Sequence, residues 1–570
     1  MADRRVRVGL VSATSHATAY TKGLVDWAAH QDDVEITHLV LVRSPTGRLS
    51  GSAAGARVPM ALRTLTALEG VVLRRFCAFR GHGRATDLGE VLETVPVPAE
   101  VAADGAVVFD EAAASLVAAL GLDVLVVVDD GARLRGPLLD TARFGTLAVR
   151  PEAERLGPPG FWEVLDGRAA TEYAIRRLRA DGGSVVIRRG RAWTGLFAEL
   201  NRAIVTQRSY HHLQLLLKEL ARAGAPVVTA SRSRSSRPVP VDPWPAPEPA
   251  TTADSLRYAA RVAGTVTPKL VDKALGRPRW NVAWVHAPWR EVGTARATAL
   301  PRRRGHFHAD PFVVARDGRH YLFTEDFERR AGRGRIFVHE ICEGRSREVG
   351  VALTEPFHLS FPYLFEHGGE LYLVPESARS RSIRIYRCTS FPLGWELARV
   401  AMHDVDAVDT MIFPFGGRWW LLTSIAPPGT GDYSAELFAF HADSPLADTW
   451  HPHAGNPLAR DPGRARNGGI VLDGDEVYRV NQRHGFGTYG EEAVVNRVVE
   501  LTPTTFVEEP VMTVSPNASL RVQRTHQLHT DGEYTVIDFV RPPGLRRAAV
   551  RRPATGARLG SLVSVADLTA

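Results

Sequence analysis

The sequence predicts two folded parts of different class: an N-terminal doubly wound α/β domain over residues 1–230 and a C-terminal all-β domain over 279–545, a five-bladed β-propeller. Three observations predict this. Apolar strands alternate with helical segments from Val6 to Val128, the pattern of an α/β domain. A stretch rich in proline, arginine and serine, SRSRSSRPVPVDPWPAPEPATT at 231–252, then interrupts all periodicity. Beyond it one pattern recurs five times at a spacing of about 50 residues, the signature of a propeller. The length of 570 residues agrees, since single cores stop growing beyond roughly 250–300 residues.

Taken in order, Val6–Ser12 is an apolar strand and His16–His30 has the composition of a helix. Ile36–Val42 reads as a second strand and Glu111–Leu120 as a helix. Leu122–Val128 is a continuous apolar run, which suits a parallel strand buried on both faces. Glycines do not follow the first strand in the G-x-G-x-x-G order, so a dinucleotide site is unsupported. In the interdomain stretch 231–278 the spaced prolines favour extended backbone. A helix is expected at 253–275, and residues 546–570 form a tail.

Composition excludes several classes. The apolar fraction of 44% and charged fraction of 23% are those of an ordinary globular protein, not a disordered or fibrous one. No stretch approaches the roughly 20 apolar residues that span a bilayer. The first residues lead directly into a strand without a secretory signal, so a cytoplasmic location is expected. The net charge of +7 rests almost wholly on arginine, in keeping with a GC-rich coding bias, and no aromatic residues interleave with the basic run at 231–237. Nucleic acid is therefore not an expected partner. Cys77, Cys342 and Cys388 are too few and too scattered for a disulfide framework or a zinc site.

Within the first domain, residues 121–191 carry the strand Leu122–Val128, a Pro-Leu-Leu-Asp helix start at 137–140, Gly145-Thr-Leu-Ala-Val-Arg-Pro151, Gly157-Pro-Pro-Gly-Phe-Trp-Glu163 and Asp181-Gly-Gly183. This order resembles the folate-dependent formyltransferases, the family of methionyl-tRNA formyltransferase and the sugar N-formyltransferases. The resemblance implies an Asn and a His where this chain has Ala148 and Arg150, and a later aspartate matched by Asp181. Formyl transfer needs an oxyanion stabiliser and a base. Ala148 supplies neither, and Arg150 cannot act as a base near neutral pH. The expectation is a formyltransferase-like fold with a degenerate site, in which Asp181 forms an Asp-Gly-Gly turn. No cofactor is expected; 10-formyltetrahydrofolate enters only if formyl transfer survives.

The five repeats read HADPFVVARDGRHYLFTED (308–326), LSFPYLFEHGGELYLVPES (359–377), VDTMIFPFGGRWWLLTS (408–424), RARNGGIVLDGDEVYRVNQ (464–482) and RTHQLHTDGEYTVID (524–538). Phe312, Tyr363, Ile412, Ile470 and Leu528 occupy comparable positions, 51, 49, 58 and 58 residues apart. Glycine turns join the two strands of each repeat, as in β-hairpins. Trp280–Trp289 is expected to help close the ring. In a propeller the first strand of each blade lines the central channel, so the starts of the repeats should converge at one mouth. These starts hold Asp310, Asp409, Arg466, Asn467 and His526, and the ends of the second strands add Glu325, Glu376 and Gln482. Carboxylates, an arginine, amides and histidines facing one cavity suit a polyhydroxylated ligand, with Trp419, Trp420 and Tyr489 available to stack on a sugar ring. His308, His358 and His526 belong to different blades and have no metal-ligand spacing, so no metal is expected.

Asp310 in the first repeat and Asp409 in the third resemble the carboxylates of the arabinanase and invertase superfamily of glycosidases, although the fourth repeat offers Arg466 and Asn467 where that superfamily has a general acid. The motifs ADPFVV, SFPYLFEHGGELYLVPES, DTMIFPFGGRWWLLTS and YRVNQ resemble the N-terminal propeller of glucosamine inositolphosphorylceramide transferases, and bacterial proteins that join such a propeller to a formyltransferase-like domain. The leading expectation is a carbohydrate-active or carbohydrate-binding protein of glycan or glycoconjugate assembly. If it is catalytic, Asp310 is base or nucleophile, Asp409 orients, and Glu376 or Glu325 is the acid; His308, Arg466, Asn467, Gln482, His526, Trp420 and Tyr489 contact substrate. Two alternatives stay open: an amino-sugar N-formyltransferase and a non-catalytic scaffold.

Overall fold

Apolar strands buried on both faces build the centre of the first part. The computed structural model describes residues 5–43, 59–74, 85–129, 133–151, 160–223, 250–275, 279–292, 297–342, 344–427, 432–515 and 524–541. The chain divides into two compact units, Met1–Val266 and Thr267–Ala570. Cys77, most of the proline-rich stretch and the tail 546–570 lie outside the described residues.

The first unit has a seven-stranded sheet made of β1 (Val6–Ser12), β2 (Val34–Arg43), β3 (Glu93–Pro98), β4 (Val124–Val127), β5 (Thr146–Pro151), β6 (Ala170–Leu178) and β7 (Ser184–Trp193), in the order β7-β6-β5-β4-β1-β2-β3. The strands from β5 to β3 run parallel, while β5-β6-β7 is an antiparallel extension. Among the described residues the unit's helices are α1 (Ala19–Ala28), α2 (Met60–Leu73), α3 (Glu111–Ala118), α4 (Phe161–Asp166) and α5 (Ala198–Ala223), and α6 (Thr252–Leu275) starts in this unit and runs past its end at Val266. Leu24 and Val25 of α1 and Leu213 and Leu217 of α5 pack on one face of the sheet, Ala113 and Val117 of α3 on the other. Helices therefore cover both faces, as parallel strands require. The helix expected at 16–30 is shorter. His16–Thr18 pairs antiparallel with Ala85–Asp87, and the Thr18 hydroxyl then caps α1 by accepting from the Thr21 N–H.

The second unit is built from five four-stranded antiparallel sheets among the described residues. Sheet I comprises His306–Arg316, Arg319–Glu328, Arg333–Cys342 and Arg345–Leu353; sheet II comprises Ser360–His367, Glu370–Glu376, Ser382–Ser390 and Gly394–His403. Sheet III comprises Ala407–Phe415, Arg418–Ile425, Leu437–Ala442 and His451–Pro452; sheet IV comprises Asn467–Asp473, Glu476–Gly485, Thr488–Leu501 and Phe506–Val514. In sheet V the order is Leu528–Thr530, Tyr534–Arg541, Arg279–His286 and Thr298–Ala299. The first and last strands of this unit thus share one sheet: Arg279–His286 pairs along its length with Tyr534–Arg541. First strands neighbour one another from I to V and back to I, a closed propeller-like arrangement. Aromatic and branched residues, among them Phe312, Tyr363, Met411 and Trp420, fill the space between sheets.

Candidate functional site

The site is created by a repeated irregularity in the first strands. In sheets I, II and III two residues oppose one: Asp310-Pro311 bulges between Ala309 and Phe312, Phe361-Pro362 between Ser360 and Tyr363, and Asp409-Thr410 between Val408 and Met411. Asp310, Phe361 and Asp409 adopt left-handed backbone, with φ of 51°, 44° and 52°. A bulge re-aims its side chain and ends regular pairing. Sheet IV shifts register between Asn467 and Gly469. A Cβ on the intervening Gly468 would stand 2.3 Å from the His526 carbonyl oxygen, so this glycine lets sheets IV and V approach. The register corrects one expectation: Met411, not Ile412, is the counterpart of Phe312 and Tyr363, because Val408 opposes Ser424 and Met411 opposes Leu422.

These bulges bring residues of all five sheets together. Asp310 accepts from the Phe361 N–H at 3.2 Å and lies 3.3 Å from His526 Nε2. The other ring nitrogen, Nδ1, lies 2.5 Å from Asp538. Asp538 in turn accepts from the backbone N–H groups of His526 and Gln527 at 3.0 and 3.2 Å. Arg466 Nε donates to Asp409 Oδ2 at 2.6 Å, and Gln482 donates to the same oxygen at 3.1 Å. The Arg466 guanidinium also stands 5.1 Å from the centre of the Tyr489 ring. Ser360 donates to Glu376 at 2.6 Å, and Glu325 lies 3.6 Å from His358 Nε2. Trp280 packs on His526 with ring centres 4.2 Å apart. The side chains of Asp310 and Arg466 remain 11% and 14% exposed, so the cluster reaches solvent through them.

Proximity gives the four carboxyls different protonation tendencies. Burial raises Asp310, but the hydrogen bond and charge of His526, with Arg466, more than offset it and hold the carboxyl below its usual range. Burial and the charges of Asp310 and Glu376 push Glu325 well above the ordinary glutamate value. Burial also raises Glu376, against the Ser360 hydrogen bond and the charge of Arg466. Asp409 is raised to about 6, burial outweighing its pairing with Arg466. Asp310 is thus held low while Glu325, Glu376 and Asp409 are pushed up, the direction of separation that acid–base chemistry at a single site uses.

Asp310, Glu325, Glu376, Asp409, Arg466, Gln482, Tyr489 and His526 are brought together by these contacts and mutual charges. Three expected contact residues are not available. His308 is buried, faces Thr324 at 3.3 Å and packs on the His339 ring, where burial lowers its pKa. Trp420 is fully buried and donates its indole N–H to the Phe415 carbonyl, so it is core and cannot stack on a ligand. Asn467 spends its amide on the Asp409 and Leu422 carbonyls and its oxygen on Arg479. It positions Asp409 rather than a ligand. Asp538, Ser360 and Trp280 were not among the expected site residues. Asp538 stands four residues after Tyr534 in the fifth repeat as Glu376 stands four after Tyr372 in the second, and that equivalence was visible in the sequence.

Asp310, His526 and Asp538 each place one donor atom within 4.8 Å of the others. Each ring nitrogen of His526 is committed to a different carboxylate, and those two charges raise its pKa to about 10. This triad suits a bound proton better than a metal ion.

In the first unit, Ala148, Arg150 and Asp181 do not form one site. β5 pairs Thr146 with Leu178 and Arg150 with Ala174, so the turn bearing Asp181 lies at the end of the strand away from Arg150. Four residues of strand separate these ends by roughly 13 Å. Ala148 is buried between β4 and β6, Arg150 is buried, and Asp181 is an exposed turn residue that accepts from the Gly183 N–H at 2.8 Å.

Comparison with known proteins places similarity in the second unit. Solved structures with a similar fold include a family 117 glycoside hydrolase of the marine bacterium Zobellia galactanivorans (13% identity, 45% of this chain and 80% of that one, TM-score 0.32). Another is the catalytic domain of a Coprinopsis cinerea GH62 α-L-arabinofuranosidase (11% identity, 46% and 97%, TM-score 0.33). Glucosamine inositolphosphorylceramide transferase 1 of Oryza sativa subsp. japonica is 33% identical over 232 residues, 39% of this chain and 31% of the relative. That of Arabidopsis thaliana is 35% identical over 212 residues, 36% and 27%. The chain thus spans about a third of the length of these curated relatives or less. Residues 282–530, nearly the whole ring of sheets, match the family model described as glucosamine inositolphosphorylceramide transferase 1, N-terminal.

Proposed function

We propose that the second unit is a five-bladed β-propeller whose channel mouth binds a sugar, and that the protein acts in glycan or glycoconjugate assembly. The observation that carries this reading is the meeting of Asp310, Glu325, Glu376 and Asp409 with Arg466 and His526, contributed by all five sheets. Each ionised carboxylate accepts from two hydroxyls and Arg466 brings further donors, while Gln482, buried with its amide committed to Asp409 and the Asn467 carbonyl, holds Asp409 in place. Tyr489 packs against the Arg466 guanidinium and stacks on the His484 ring beside the carboxylates. The similarity of residues 282–530 to a glycolipid transferase's N-terminal part supports the same substrate class.

If the site breaks or forms a glycosidic bond, Asp310, held ionised by His526, is base or nucleophile. Asp409 orients it, and Glu325, kept protonated by burial and neighbouring charge, is the acid, with Glu376 next to it. A pair of carboxyls in opposite protonation states is what such chemistry uses.

The test is thermal stabilisation of the full chain by glucosamine, N-acetylglucosamine, their nucleotide-linked forms and inositol phosphate. A ligand at 100 times its dissociation constant adds about 2.7 kcal/mol. A response to a sugar that disappears in Asp310→Asn and Asp409→Asn supports the reading. A sugar response that survives both substitutions overturns the assignment of the site.

A further inference from the structure

The helix α2 carries an apolar face turned to solvent. Met60, Leu68, Val71 and Val72 are 82%, 59%, 61% and 60% exposed, while Leu62, Glu69 and Leu73 are buried. At about 100° per residue, the four exposed side chains fall within one third of the helix circumference, opposite the three buried ones. The inner face meets α5, where Leu73 packs with Ala203. The helix is therefore apolar on both sides, and among the described residues only one side is packed against the fold. A surface helix ordinarily turns charged and polar residues outward.

The ionisable residues of the helix itself are Arg63 and Glu69, with Arg74 at its C-cap. Between residues 44 and 84 the sequence has seven arginines and one acid, Glu69. That acid points inward: it accepts from the Tyr258 hydroxyl and, at 3.3 Å, from the Glu199 N–H. Arg63 and Arg74 are exposed on the same flank of the apolar stripe. An exposed apolar stripe flanked by arginine, with its single carboxylate withdrawn into the protein, complements an anionic lipid surface. A protein partner of mixed charge would not need this exclusion of acids.

We propose that α2 docks on a bilayer containing anionic lipid, its outer face entering the headgroup–acyl boundary while Arg63 and Arg74 lie at the phosphates. This is surface attachment; among the described residues no helix is long and apolar enough to cross a membrane. The inference stands apart from the sugar site, which lies in the other unit.

The experiment is flotation of the full chain with phosphatidylcholine vesicles, with and without about 30% phosphatidylglycerol, at about 0.1 M salt. Two variants accompany the wild type: Val71→Ser with Val72→Ser, and Arg63→Gln with Arg74→Gln. All four positions are exposed, and thermal melting checks that both variants fold. The wild type floats with the anionic vesicles, less so at higher salt, and each variant binds roughly tenfold or more weakly. Failure to float with anionic vesicles overturns the proposal, as does variant binding equal to the wild type. So does a self-associated species in light scattering that the valine variant dissolves, because a second copy would then cover this face.

Discussion

His526 Nε2 lies 3.3 Å from Asp310, while the opposite nitrogen of the same ring lies 2.5 Å from Asp538. Burial alone would lower the imidazole's pKa from 6.5; the charge of Asp538 and the bonds to both carboxylates reverse this and raise it to about 10. A group raised in the folded state contributes stability that is fully present below its unfolded pKa and lost as pH rises through the folded one. The second unit should therefore lose stability between pH 6.5 and about 10. His526→Gln should lower stability by about 3 kcal/mol near neutral pH, since it leaves two buried carboxylates without their cation. It should also remove this alkaline dependence. Denaturant unfolding of both proteins across that range checks it, and parallel pH curves would sink the assignment of His526 as an imidazolium.

Asp409 makes a prediction on the acid side. Its pKa of about 6 means that the carboxylate loses its charge just below neutrality. Only the ionised form accepts from two hydroxyls while remaining paired with Arg466. Sugar affinity should rise as pH increases from 5 to 7, with a midpoint near 6. Asp409→Asn should weaken binding and flatten that profile. Calorimetric titration at three pH values separates the outcomes: an unchanged midpoint in the variant would move the titration to Glu376 or Glu325.

The hairpin repeats were legible because glycine turns and alternating aromatic strands recur at nearly constant spacing. Each quoted repeat became the innermost hairpin of one sheet. The bulges were less legible. A bulge adds a residue without altering composition, so Ile412 was aligned where the register puts Met411. Trp420 shows a second limit. Adjacent tryptophans on a strand face opposite sides, but sequence does not say which side is core; Trp420 is buried, while Trp419 packs edge-on against His367. The first unit shows a third limit. Motif order says nothing about which end of a strand a turn occupies, and pairing placed Asp181 away from Arg150.

The left-handed backbone at the bulges can be read separately from the site's charge. Asp409→Asn and Asp409→Val remove the same carboxylate. Asparagine tolerates a φ of 52°, whereas a β-branched side chain there clashes with the backbone. The valine variant should be less stable than the asparagine variant by about 1–2 kcal/mol. Equal unfolding midpoints would mean that the bulge relaxes on substitution and does not hold the carboxylate's direction.

A buried ion pair supports Asp409 from behind. Arg479 and Glu508 form a fully buried pair, with Nε and Nη2 each 2.8 Å from a carboxylate oxygen. The remaining Nη1 donates to Asn467 at 3.1 Å, and Asn467 donates to the Asp409 carbonyl at 2.8 Å. Removing Arg479 leaves the buried Glu508 with only the half-exposed Arg464 at 3.2 Å, so Arg479→Met should destabilise by about 3 kcal/mol. Adding Glu508→Leu should recover most of that loss, because two apolar side chains replace both ions. The double variant still lacks the donor that fixes Asn467. It should fold with near-native stability yet bind sugar more weakly, since Asp409 is then free to turn. Stability and affinity that recover together in the double variant would show that the pair only holds sheet IV, with no bearing on the site.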